Sequence, residues 1–187
     1  MTNVYEECPL FENNKYLLRY VRNEDCKDLL KVYSDEKSVP LFNSDNCEGD
    51  DFYYTTYERM EKAIEYWHFE YDRKGFVRWS IVDQTNNSVI GTIELFHRKA
   101  NDYFTECGLL RLDLRSDYEK ETEIESILSL IIKQAYDIFN CDKVATKAKS
   151  NALERVDALE KMGFRSTTEK LKGHDGTEYD SYYVIKK

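Results

Sequence analysis

Apolar residues recur along this chain in two rhythms. Residues 15–21 (KYLLRYV) make a short strand-like run, and the acids of Arg22-Asn23-Glu24-Asp25 suit the first turn of a helix. Cys26, Leu29, Leu30 and Tyr33 then fall at helical spacing. Residues 34–51 hold a Pro, a Gly and several Asp, Asn and Ser with little periodicity, which predicts a loop. From 52 to about 72, Tyr53, Tyr57, Met60, Ile64, Trp67 and Tyr71 recur every three or four positions, the stripe of a core-facing helix.

Three strands follow: 76–82 (FVRWSIV), 88–97 (SVIGTIELFH) after the polar turn Gln84-Thr85-Asn86-Asn87, and 104–114 (FTECGLLRLDL). Ile124, Ile127, Leu128, Ile131, Ala135 and Ile138 predict one long helix, and residues 143–148 (KVATKA) a short strand. Leu153, Val156, Leu159 and Met162 mark a last helix that stops at Gly163, a residue suited to a left-handed cap. Strands at 164–171 and 179–185 close the chain around His174-Asp175-Gly176. The order is β-α-α-β-β-β-α-β-α-β-β, without internal repeat or linker, so residues 1–187 read as one mixed α/β domain.

Composition narrows the chemistry. A formal net charge of -9 argues against nucleic acid as the main partner, because phosphate neutralisation needs a basic stripe. The first residues show no basic and then apolar leader, and no stretch approaches a membrane span, so a cytoplasmic location without membrane contact is expected. Cys8, Cys26, Cys47, Cys107 and Cys141 show no C-x-x-C spacing, which speaks against disulfides or zinc; Cys26, Cys107 and Cys141 sit in apolar patterns as small hydrophobes. His68, His97 and His174 are scattered, and no metal is implied.

Three segments carry a family resemblance. Residues 16–25 (YLLRYVRNED) are similar to the "lR.v.eeDa..l" opening of the GNAT superfamily of acetyl-CoA-dependent N-acetyltransferases, in its ribosomal-protein and small-molecule branch. Residues 79–82 and 89–93 resemble its "wai…g.viGti" hairpin, and residues 159–165 (LEKMGFR) its "lek.GFr" ending. Their order spans nearly the whole chain. The resemblance implies a GNAT-type fold around a mostly antiparallel, splayed sheet, acetyl-CoA as cofactor, and a small-molecule or peptide amine as acceptor; it leaves a homodimer open. Backbone groups at Leu110, Arg111 and Leu112 would pair with the pantetheine arm, and a turn reading Q/R-x-x-G-x-G/A would cradle the pyrophosphate at a helix N-terminus.

In this chain Tyr118 falls at the Q/R position, and Glu121 and Glu123 at the two glycine positions. Ser116 with Glu119, and Thr122 with Glu125, have capping-box spacing, which favours a self-capped turn with the acids at the positive helix end. The other arrangement turns those acids away and leaves backbone N–H groups to the phosphates, with Arg115 or Lys120 supplying charge. The family's Asn and small residue before "lek.GF" fall on Ala152 and Arg155, with Asn151 one residue early, and Leu159 stands where many members carry a tyrosine. Glu94 and Glu106, each on an apolar strand face, are the candidate bases for amine deprotonation, since such a setting can raise a carboxyl pKa, or else are strand-edge or barrel-mouth carboxylates with an Arg or Lys partner. Asp113 reads as structural. Two functions follow: direct acetyl transfer to an amine, or a degenerate GNAT-fold binding module that has lost acetyl-CoA.

Overall fold

The computed structural model describes residues 3–187. The chain runs β1 (Phe11–Glu12), β2 (Tyr16–Tyr20), α1 (Cys26–Tyr33), α2 (Tyr57–Asp72), β3 (Val77–Asp83), β4 (Ser88–Arg98), β5 (Cys107–Leu114), α3 (Glu121–Leu128) and α4 (Ile132–Ile138). It continues with β6 (Lys143–Lys147), α5 (Leu153–Lys161), β7 (Arg165–Ser166), β8 (Leu171–Lys172), β9 (Glu178–Tyr179) and β10 (Tyr182–Lys186). Eight strands form one sheet in the order β1-β2-β3-β4-β5-β6-β10-β7, while β8 and β9 make a separate ribbon. Among the described residues, only the β5–β6 pair is parallel.

Several boundaries move for local reasons. The second helix starts at Tyr57, not 52, because Thr56 caps it through Arg59 N–H and the Asp50 and Asp51 side chains take the N–H groups of Phe52 and Tyr53. Phe52 there has a left-handed φ of 62°. The single long helix is two, broken after Leu128. Leu130 and Ile131 N–H bond back three residues to Ile127 and Leu128, and the Ser129 hydroxyl donates to the Ser126 carbonyl. β5 begins at Cys107 because Asp102 holds the Phe104 N–H and Glu106 is left-handed, φ 51°. Gly163 caps α5 with φ 98°, as its position predicts.

One sheet face is apolar and carries Leu18, Trp79, Ile93, Leu110 and Leu112 against α3, α4 and α5. The opposite face, under α1 and α2, is polar in two rows fixed by strand register. Arg78 pairs with Glu94 and Glu94 with Arg111; beside them Arg19 pairs with Ser80, Ser80 with Thr92 and Thr92 with Asp113. Side chains alternate along strands, so Trp79, Ile93, Leu110 and Leu112 fall on one face and Arg78, Glu94, Arg111 and Asp113 on the other, where Val82 and Val89 add an apolar patch against α1 and α2.

Candidate active site

The first row forms the floor of a cleft. Arg111 Nη1 lies 2.6 Å from Glu94 Oε1, and Arg78 Nη2 bonds the other carboxylate oxygen. Arg78 Nη1 also reaches Asp113 Oδ2 (3.1 Å), Thr92 Oγ1 (3.0 Å) and the Tyr33 hydroxyl (2.9 Å). Tyr33 in turn donates to Asp113 Oδ2 at 2.6 Å. All six side chains are buried. A cavity of about 660 Å³ opens above, walled by Tyr54, Trp67 and Phe76 and floored by Arg78, Glu94 and Arg111. A second, of about 470 Å³, shares Asn46, Phe96, Arg111 and His174 with it. The loop after α1 and the β8–β9 ribbon meet over both, where His174 N–H donates to Asn46 Oδ1 at 2.9 Å.

The expected raised pKa of Glu94 is corrected by this geometry. Burial alone would push its carboxyl up, but Arg111 and Arg78 outweigh that and hold it below the usual range. Asp113 behaves oppositely. Burial pushes it up, and Arg78 and Tyr33 offset only part of the shift. Glu106 lies just before β5 with its side chain 58% exposed, 2.8 Å from His97 Nε2, and lines neither cavity. It does not share an apolar strand face, because the left-handed turn at Glu106 precedes the strand.

The other candidate residues gather where β5 leaves β6. The two strands pair only at Gly108↔Val144, Leu109↔Ala145 and Leu110↔Thr146, whereas β5 continues to Leu114. Beyond Leu110 that edge has no strand partner. Its Leu112 carbonyl accepts Arg155 Nη1 at 2.8 Å, and the same guanidinium holds both oxygens of Glu119 at 2.6 and 2.8 Å.

In the turn before α3, Arg115 pairs with Asp117 at 2.7 Å and lies over the Tyr118 ring, whose hydroxyl donates to Asp83 at 2.7 Å. Lys120 is the N-cap and makes no side-chain capping bond. Asn151 is exposed before α5.

Neither expected capping box forms. Glu119 is committed to Arg155, and Glu121 and Glu125 both pair with Lys161. Glu123 is drawn to Lys15 at 2.7 Å and to the Tyr16 hydroxyl. The acids at the glycine positions therefore turn away from the helix axis. A different carboxylate, Glu154 of α5, accepts the Glu121 N–H at 2.7 Å. The sequence pointed to Glu119 as a cap rather than as the partner of Arg155, and singled out neither Glu154 nor Arg78. Arg78, Glu94 and Arg111 did leave a signal, as single charges inside otherwise apolar strands.

The acetyltransferase (GNAT) domain profile matches residues 15–165. Among solved structures, the chain is similar to the GNAT-family acetyltransferase from Bacillus anthracis, at 11% identity and a TM-score of 0.69, covering 95% of this chain and 98% of that one. It is also similar to the ribosomal-protein-S5-alanine acetyltransferase from Vibrio fischeri (14% identity, TM-score 0.69, 96% of both chains). A third similar structure is a ribosomal L7/L12 alpha-N-protein acetyltransferase in complex with coenzyme A (12% identity, TM-score 0.70, 95% of this chain and 98% of that one). No curated protein sequence matches significantly. With the profile spanning most of the chain and the fold shared end to end, this protein belongs to the acetyltransferase (GNAT) domain family, whose chemistry is acetyl transfer.

Proposed function

We propose that this chain is an acetyl-CoA-dependent N-acetyltransferase that transfers acetyl directly to an amine. The observation that carries the reading is the open edge of β5 beyond Leu110, lying beside a cleft large enough for a small amine or a peptide end. An unpaired strand edge needs hydrogen-bond partners, and an amide-bearing arm supplies them.

The residues present fit the cofactor at that edge. Leu110, Arg111 and Leu112 would hold the pantetheine through backbone groups. Arg115, Tyr118 and Lys120 lie at the turn where phosphates would sit, and Asn151 flanks it. With Glu121 and Glu123 drawn aside, the N–H groups of Thr122 and Glu123 keep no partner among the described residues. Acetyl-CoA supplies the activated acetyl group.

The chain's own residues bind and orient the acceptor. Glu94 lines the cleft with both oxygens held by Arg78 and Arg111, and so fixes the floor beneath the acceptor rather than attracting its ammonium. A carboxyl held low is a weak base, so the ammonium proton leaves to water rather than resting on Glu94. The acceptor is a small-molecule or peptide amine, met in the cytoplasm; no helix among the described residues is long and apolar enough to cross a membrane.

Calorimetric titration with CoA, followed by mass-spectrometric assay of a panel of small amines and peptide N-termini with acetyl-CoA, tests the reading. Saturable CoA binding and acetylation of one acceptor class are expected. Absence of CoA binding at millimolar ligand would overturn it in favour of a fold kept without its donor.

A further inference from the structure

The first turn of α5 reaches into the donor slot with two adjacent side chains of opposite charge. Arg155 crosses from α5 to the free edge of β5, donating to the Leu112 carbonyl while gripping the Glu119 carboxylate; the two side chains are only 3% and 8% exposed. Glu154, one residue earlier, places its carboxylate on the first N–H of α3. The edge that would pair with an amide arm thus has a guanidinium on it, and the helix end that would receive an anion has a carboxylate.

The loop after α1 is fastened over the same gap. Arg155 Nη1 reaches the Leu41 carbonyl at 3.4 Å, Lys149 bonds the Pro40 carbonyl, and Lys147 holds Asp45 at 2.7 Å. One buried ion pair therefore ties β5, the turn before α3, α5 and this loop together.

We propose that Glu154 and Arg155 form an intramolecular latch over the donor slot, which must lift before acetyl-CoA can enter. The inference rests on the acetyl-CoA reading above. Lifting exchanges the Leu112 carbonyl from Arg155 to the incoming arm and frees the α3 N-terminus for phosphate. A protein that is competent only when the latch is open binds with its affinity divided by the closed-state excess.

The test compares CoA affinity, by calorimetry, for the intact chain, Glu154→Gln, and the double variant Glu119→Gln/Arg155→Met. The double variant removes both charges of the buried pair together, so no lone charge is left behind. Glu154 is exposed, so its variant keeps the fold if the double variant does not. If the latch is open less than about a tenth of the time, the double variant binds CoA about tenfold or more tighter. Glu154→Gln also tightens binding, most strongly at low salt. Wild-type binding with unchanged or weaker binding in both folded variants overturns the latch and leaves the acetyl-CoA reading standing. No binding in any folded form overturns both.

Discussion

Arg111 and Glu94 stand opposite each other in the pairing of β4 with β5, their charged ends 2.6 Å apart, and Arg78 closes on the same carboxylate from β3. One buried carboxylate thus serves two buried guanidinium groups. Glu94→Gln leaves both without their shared counter-charge, and breaking such a buried pair costs about 3–5 kcal/mol. Urea denaturation of the variant is expected to show a drop of that order. A loss below about 1 kcal/mol would mean that the row is solvated like a surface pair.

Glu106 sits on the far side of the strand pairing from the parting point at Leu110 and lines neither cavity. Glu106→Gln is expected to leave the acetylation rate and its pH profile as in the parent chain. A steep rate loss with retained thermal stability would instead place the base there.

Two glycines separate backbone clash from side-chain clash. A Cβ on Gly91 would fall far inside contact with the Asp113 carbonyl oxygen, which is fixed in the β4–β5 ladder. A Cβ on Gly75 would meet the Glu70 carboxylate, the far end of a flexible side chain. Gly91→Ala is therefore expected to cost about 3 kcal/mol or more, and Gly75→Ala about 1 kcal/mol. Thermal melts of the pair check the order; equal losses would refute it.

Asp113 gives the pH dependence an unusual sign. Its folded-state pKa is raised, so it favours folding only below its ordinary pKa, and that advantage is lost as pH rises through the folded value. Glu94, Asp25 and Asp102 are held low; they favour folding above their ordinary pKa values and lose this as pH falls through the folded ones. Asp113→Asn removes only the first contribution. The stability of the variant relative to the parent should rise with pH from about 4 upward and then level off. Urea midpoints across that range measure it, and a difference that falls with pH would reverse the assignment.

Much of the fold was legible because it rests on local patterns. The run 16–20, the alternation through β3 to β5 and the cap at Gly163 each encode their own element. What escaped depends on side chains that redirect the backbone, such as the Asp50 and Asp51 turns that delay α2, or the Ser129 break between α3 and α4.

The site divides in the same way. Glu94 and Arg111 could be picked out as charges in apolar strands, yet the sign of the Glu94 shift needed the register that sets Arg78 beside it. Glu119 and Arg155 lie 36 residues apart, and neither capping-box spacing nor helix pattern links them. Arg155 was visible only as an outsized residue where the family tends to a small one.

The position of β10 carries a consequence for synthesis. Among the described strands it comes last in sequence, yet it lies inside the sheet, between β6 and β7. Until it emerges from the ribosome, the edge of β6 has no partner and β7 has no strand to join. A nascent chain lacking these residues presents an open edge of the kind that recruits other chains. Among the described strands, the latest made is the one that renders the rest of the sheet safe, and a stop codon shortly before Tyr182 should yield aggregate rather than a smaller domain.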